Sequence, residues 1–98
     1  MSIKHTVVFR LIHEAGSAAE SEFLVVGRET LTAIPGVTEF TVNRQVSPQS
    51  DLAWQFSMVF ADQGAYDGYN VHPEHLGFVT SRWQSEVAAF PEYDFVTL

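Results

Sequence analysis

The chain has 98 residues, a net charge of −7 at pH 7 and no cysteine. That length suits one domain with one core, residues 1–98; without cysteine there is no disulfide, thiolate metal site or cysteine nucleophile. The five fixed cations, Lys4, Arg10, Arg28, Arg44 and Arg82, are scattered, which argues against nucleic acid and against an anionic membrane surface as partners.

Residues 3–13 alternate. Ile3, His5, Val7, Phe9 and Leu11 fall on one face, and Lys4, Thr6, Val8, Arg10 and Ile12 on the other. Both faces carry apolar residues, so the spacing predicts a strand covered on two sides. Helices of the same chain supply one cover, and a second copy supplies the other. The apolar run 7–12 is short and broken by Arg10, so it does not read as a secretory leader. A soluble, cytoplasmic protein is the expectation.

Gly16 marks a turn. Ser17 is placed as an N-cap, with Glu20 three residues on in a capping-box pattern. Phe23, Val26, Gly27, Thr30, Leu31 and Ile34 follow at helical spacing, and Pro35 and Gly36 end the helix. Residues 37–46 predict a second strand, with Phe40, Val42 and Arg44 sharing a face. Residues 54–61 predict a third, with Trp54, Phe56, Met58 and Phe60 sharing a face. The polar connection 47–51 makes the two a hairpin.

Asp62 caps a short turn carrying Ala65, Tyr66 and Tyr69. Pro73 suits the first position of a longer helix. Its expected buried stripe is Leu76, Val79, Trp83 and Val87, and Phe90 and Pro91 are expected to end it. Residues 93–98 are β-prone and make a fourth strand. The order β-α-β-β-α-β is the α+β, ferredoxin-like arrangement: a four-stranded antiparallel sheet with helices on one face. Two uncovered sheet faces meeting isologously make a dimeric α+β barrel, so the expected partner is a second copy through the sheet face.

The chemistry gathers in residues 69–78, which hold Tyr69, His72, Pro73 and His75. A helix beginning at Pro73 presents these side chains together, and His5 reaches them if its strand face meets the helices. A neutral imidazole is a base near pH 7, and a tyrosine hydroxyl donates to a developing enolate oxygen. That combination suits proton removal beside a carbonyl. The plainer reading makes His72 a cap, His75 a satisfied buried histidine and Tyr69 a core aromatic; on spacing alone it stands ahead. Histidine ligation of a metal ranks below acid–base use, because the spacing is not that of a helical metal pair. His13 is expected to be exposed.

The opening residues Ile3, Lys4 and His5, the helix end at Ile34, Pro35 and Gly36, and the run Tyr69, His72, Pro73, His75, Gly77 and Phe78 resemble the stress-responsive A/B barrel (Dabb) family, in order and over nearly the whole chain. The resemblance implies a homodimeric ferredoxin-like barrel with no tightly held organic cofactor. The family includes a plant polyketide cyclase that works by aldol condensation. By that resemblance Tyr69 and His75 are catalytic, and His5 and His72 contact the substrate. The expected substrate is a small, mainly apolar carbonyl compound, turned over by a cyclase-like or isomerase-like reaction. The alternatives are a non-enzymatic, stress-related binding or structural dimer and a cofactor-free monooxygenase.

Overall fold

The computed structural model describes residues 1–98. Strand β1 (Ile3–Leu11) is central. It pairs antiparallel with β3 (Trp54–Phe60), which pairs in turn with β2 (Thr38–Arg44). The opposite edge of β1 takes two short strands, β4 (Val87–Ala89) and β5 (Glu92–Phe95). The sheet order is therefore β2-β3-β1-β4, with β5 also on β1. This is the ferredoxin-like α+β fold, with its last strand broken in two.

Helix α1 (Ala18–Thr32) starts where the sequence places it. Ser17 is extended, and its hydroxyl accepts from the Glu20 N–H at 3.2 Å. The Glu20 carboxylate does not close a capping box. It accepts from the Gly16 N–H at 3.0 Å and from the Trp54 indole N–H at 3.1 Å, and so ties α1 to β3. Phe23, Gly27, Leu31 and Ile34 form the buried stripe. Gly36, at φ 91°, turns the chain into β2. In β2 the backbone bulges near Glu39, which returns Phe40 and Val42 to the core side.

The core is aromatic. Phe9, Phe23, Phe56 and Phe60 are fully buried. Phe9 meets Phe56 edge-on, with ring centroids 4.8 Å apart, and Trp83 lies 5.0 Å from Phe9.

The C-terminal third departs from the sequence reading in two ways. The helix from Pro73 is not one regular helix. It comprises α3 (Pro73–Phe78), a π-helical turn (Val79–Trp83) and α4 (Gln84–Glu86). The wider turn brings Phe78 and Trp83, five residues apart, onto the core side and leaves Leu76 half exposed. The helix also ends at Glu86, not at Phe90. There the Glu86 carbonyl accepts from the Ile12 N–H at 2.9 Å, and its carboxylate is held by His13 and Arg82. His13 is thus largely covered rather than free. Val87 already belongs to β4. Pro91 has no N–H for the ladder and separates β4 from β5, while its carbonyl still accepts from the Val8 N–H at 3.0 Å. The final strand ends at Phe95 rather than running to Leu98.

The helices cover one face of the sheet. The other carries Lys4, Thr6 and Val8 of β1, their partners Val59, Ser57 and Gln55 on β3, and Phe95 and Tyr93 on β5. Tyr93 and Phe95 are half exposed. This face mixes polar and aromatic groups, with Gln55 donating to the Thr6 hydroxyl at 2.6 Å. No helix is long and apolar enough to cross a membrane.

Candidate active site

Helix α2 (Gln63–Val71) begins at Asp62, whose carboxylate accepts from the Ala65 N–H at 2.8 Å. It ends at His72, the residue before proline, which must be extended (φ −66°, ψ 136°). One residue therefore closes α2 and opens α3. The His72 N–H donates to the Tyr69 carbonyl at 3.1 Å, and its Nδ1 accepts from the Glu74 N–H at 3.1 Å. His75 follows one turn on. Its Nδ1 lies 3.1 Å from the Asn70 carbonyl, one of the carbonyls left open at the end of α2. A carbonyl only accepts, so Nδ1 carries the proton and Nε2 keeps its lone pair.

This junction sets Tyr69 against His75, with ring centroids 4.4 Å apart. Tyr69 is almost fully buried. Burial first, then the fields of Tyr66 and Glu92, push its hydroxyl well above the ordinary phenol range, so it stays an O–H donor. Desolvation holds His75 below the ordinary imidazole value, against the opposing effect of its bond to Asn70. A protonated donor and a neutral acceptor therefore stand side by side. Tyr69 makes no hydrogen bond to the protein, and no sealed side-chain polar atom lacks a partner. Its hydroxyl is open to the adjoining space.

That space is a cavity of about 250 Å³ between the sheet and the helices. Val7, Phe56 and Met58 form its floor, and Leu31, Phe78, Val79, Trp83 and Phe90 its walls. The polar lining is His5, Tyr69, Asn70, His75 and Glu92. Mostly apolar walls with a few polar groups are usual for a small-molecule site.

His5 is buried, and its ring lies 6.2 Å from Tyr69. The Asp94 carboxylate holds it, with His5 Nδ1 2.6 Å from one oxygen, while the Tyr66 hydroxyl donates to the other at 2.9 Å and lies 3.0 Å from the same Nδ1. Burial and then the Asp94 hydrogen bond push the Tyr66 hydroxyl up, so it too remains a donor. With Nδ1 facing a carboxylate, His5 leaves Nε2 as its remaining polar atom at the cavity.

Of the four residues singled out by sequence, the fold brings His5, Tyr69 and His75 to one cavity. His72 does not line it; its ring is occupied at the start of α3. Sequence reasoning missed Tyr66, Asn70, Glu92 and Asp94. The signals available were that Tyr66 precedes Tyr69 by three residues on the turn after Asp62, and that Glu92 and Asp94, two apart, share a face if both lie in the last strand. No group of three or more His, Asp or Glu side chains converges as metal ligands.

The stress-responsive A/B barrel domain model matches residues 3–97. The chain belongs to the Dabb family. No curated protein sequence matches it. Among solved structures, the Dabb chain is similar to a Dabb family protein with a ferredoxin-like fold from Mesorhizobium loti, at 52% identity and a TM-score of 0.98, covering 99% of this chain and 97% of that one. A dimeric ferredoxin-like protein of unknown function from Thermobifida fusca superposes with a TM-score of 0.76 at 16% identity, covering 99% and 92%. Hydroxynitrile lyase from Passiflora edulis superposes with a TM-score of 0.84 at 11% identity, covering 99% and 94%. The last two likenesses concern the fold of the Dabb domain.

Proposed function

We propose that this Dabb domain is a homodimeric, cofactor-independent enzyme that removes a proton next to the carbonyl of a small, mainly apolar compound, in a cyclase-, lyase- or isomerase-type reaction. One observation carries the reading: the Tyr69 O–H donor and the His75 Nε2 acceptor adjoin at one end of an apolar cavity. His75 Nε2 takes the proton from the carbon beside the carbonyl. Tyr69 donates to the carbonyl oxygen as enolate charge develops there. His5 Nε2 orients the substrate, and His72 holds the helix start. The Passiflora protein is an example of lyase chemistry on this fold.

The homodimer reading rests on the uncovered sheet face, where Tyr93 and Phe95 are half exposed, and on the dimeric Thermobifida fold neighbour. Light scattering at micromolar concentration checks it, and a stable monomer refutes it.

The chemistry is tested by NMR in D₂O, following exchange of the methyl protons of acetophenone. The native protein accelerates exchange. His75→Ala abolishes the acceleration and Tyr69→Phe reduces it about a hundredfold, near the low end of acid–base contributions. Exchange unchanged in His75→Ala, with folding intact, removes the assignment. Binding without exchange favours the non-enzymatic dimer.

A further inference from the structure

Glu92 is the one carboxylate among the groups that line the cavity. No lysine or arginine touches it. The five fixed cations are placed elsewhere. Arg10 pairs with Asp51 at 3.6 Å, Arg44 stacks 4.4 Å over Trp54, and Arg82 holds Glu22 and Glu86. Lys4 lies on the outer sheet face opposite Phe95, and Arg28 is on the exposed side of α1. The carboxylates are close by. Both Asp94 oxygens are engaged, by His5 and Tyr66. Glu92, beside Val7 in the sheet register, is exposed to solvent, lines the edge of the cavity and makes no side-chain hydrogen bond within the protein.

The polar lining offers both donors and acceptors. Tyr69 O–H donates, and the Asn70 amide can donate or accept. His75 Nε2 accepts, and the Glu92 carboxylate, exposed to solvent at the edge of the cavity, accepts there as well. We infer that this cavity takes an uncharged carbonyl compound of about one ring that carries a hydroxyl directed to Glu92, and that it rejects the corresponding carboxylate. The inference rests on the proposed reading of the cavity as a carbonyl site, and it adds the ligand's charge and the donor that strengthens its binding.

The physical case is desolvation. A carboxylate entering an apolar cavity sheds water at a large cost, which a paired cation repays best. Here no lysine or arginine lines the cavity, and the carboxylate at its edge is Glu92. The field of Glu92 already acts on Tyr69, where it disfavours the phenolate. It acts in the same sense on a ligand anion. A neutral carbonyl oxygen accepts from Tyr69, and a ligand hydroxyl meets Glu92. The volume of about 250 Å³ is just below the usual range for drug-sized ligands, which limits the ligand to roughly one ring.

The test is calorimetric titration of the full chain, at low ionic strength and pH 7.5, with 3-hydroxyacetophenone, 3-hydroxybenzoate and acetophenone. The first two are near-isosteric and differ in charge; the third lacks the hydroxyl. Perturbation of the Trp83 indole resonance reports occupancy of the cavity. The native protein binds 3-hydroxyacetophenone at least about tenfold more tightly than 3-hydroxybenzoate, and more tightly than acetophenone. Glu92→Gln keeps an acceptor, removes the charge and narrows the first ratio, chiefly by strengthening 3-hydroxybenzoate. Equal or tighter binding of 3-hydroxybenzoate overturns the inference. So does a ratio unmoved by Glu92→Gln, or no Trp83 response to millimolar 3-hydroxyacetophenone. Discrimination without proton exchange keeps this inference and refutes the catalytic reading. Proton exchange in acetophenone with 3-hydroxybenzoate bound as tightly as its neutral isostere does the reverse.

Discussion

Gly27 lets α1 approach the sheet, and Gly27→Ala tests how firmly the aromatic core is set. A Cβ at this position lies 2.8 Å from Phe56 Cζ and 3.0 Å from its Cε2, with Phe78 at 3.4 Å. The Phe56 ring is fully buried and is bounded by Phe9, Phe23, Phe40 and Trp83, so it has little room to withdraw. Two effects oppose each other. Replacing glycine with alanine inside a helix gains about 1 kcal/mol in propensity. Forcing a methyl into a packed core costs typically about 1–3 kcal/mol. With both contacts this short and the ring boxed in, the upper half of that range applies. The net loss is then about 1–2 kcal/mol, or a fall in Tm of roughly 4–16 °C for a domain of this size. Urea unfolding followed by far-ultraviolet circular dichroism measures it, and an unchanged slope shows that the native state has lost stability rather than compactness. A variant about 1 kcal/mol more stable than the native protein would refute the reasoning, because helix propensity alone would then be deciding.

Glu20→Ala removes the acceptor for both the Gly16 N–H and the Trp54 indole N–H. The expected loss is about 1–3 kcal/mol by urea unfolding, with a changed Trp54 environment in fluorescence, and Glu20→Gln loses less. A neutral Glu20→Ala variant refutes the tie between α1 and β3. His75 is held below the ordinary imidazole value by desolvation, so the unfolded chain binds its proton more readily than the folded one. Its contribution to stability is therefore complete above about pH 6.5 and falls away as pH drops through the lowered folded value. An NMR titration of the His75 ring places its midpoint below about 6.5, and a midpoint at or above that value refutes the desolvation argument. Proton exchange by the native protein follows the same limb, declining as His75 protonates.

Local pattern carries much of this protein. Strict alternation in residues 3–11 and 54–60 marks the two central strands, because the pleat sends alternate side chains to opposite faces. Ser17 and Asp62 announce helix starts, since their side-chain oxygens satisfy the first free N–H groups there. The Tyr69–His75 pairing is local as well. It depends on the seven residues 69–75 and on a proline that ends one helix and begins the next.

What the sequence leaves open is decided across the sheet. Whether Glu92 and Asp94 face the helix side of the sheet or the outside depends on how β5 registers against β1, and a shift of one residue would exchange them with Tyr93 and Phe95. His5 gains its carboxylate partner only through that register, from 89 residues away. The π-helical turn is set by fitting both Phe78 and Trp83 against Phe23, a demand made by the core and invisible in helical periodicity. Residues 69–78 thus determine a donor and an acceptor by their own spacing. The cavity they serve, its acidic edge and the grip on His5 follow from tertiary packing, because those groups meet only when distant strands pair.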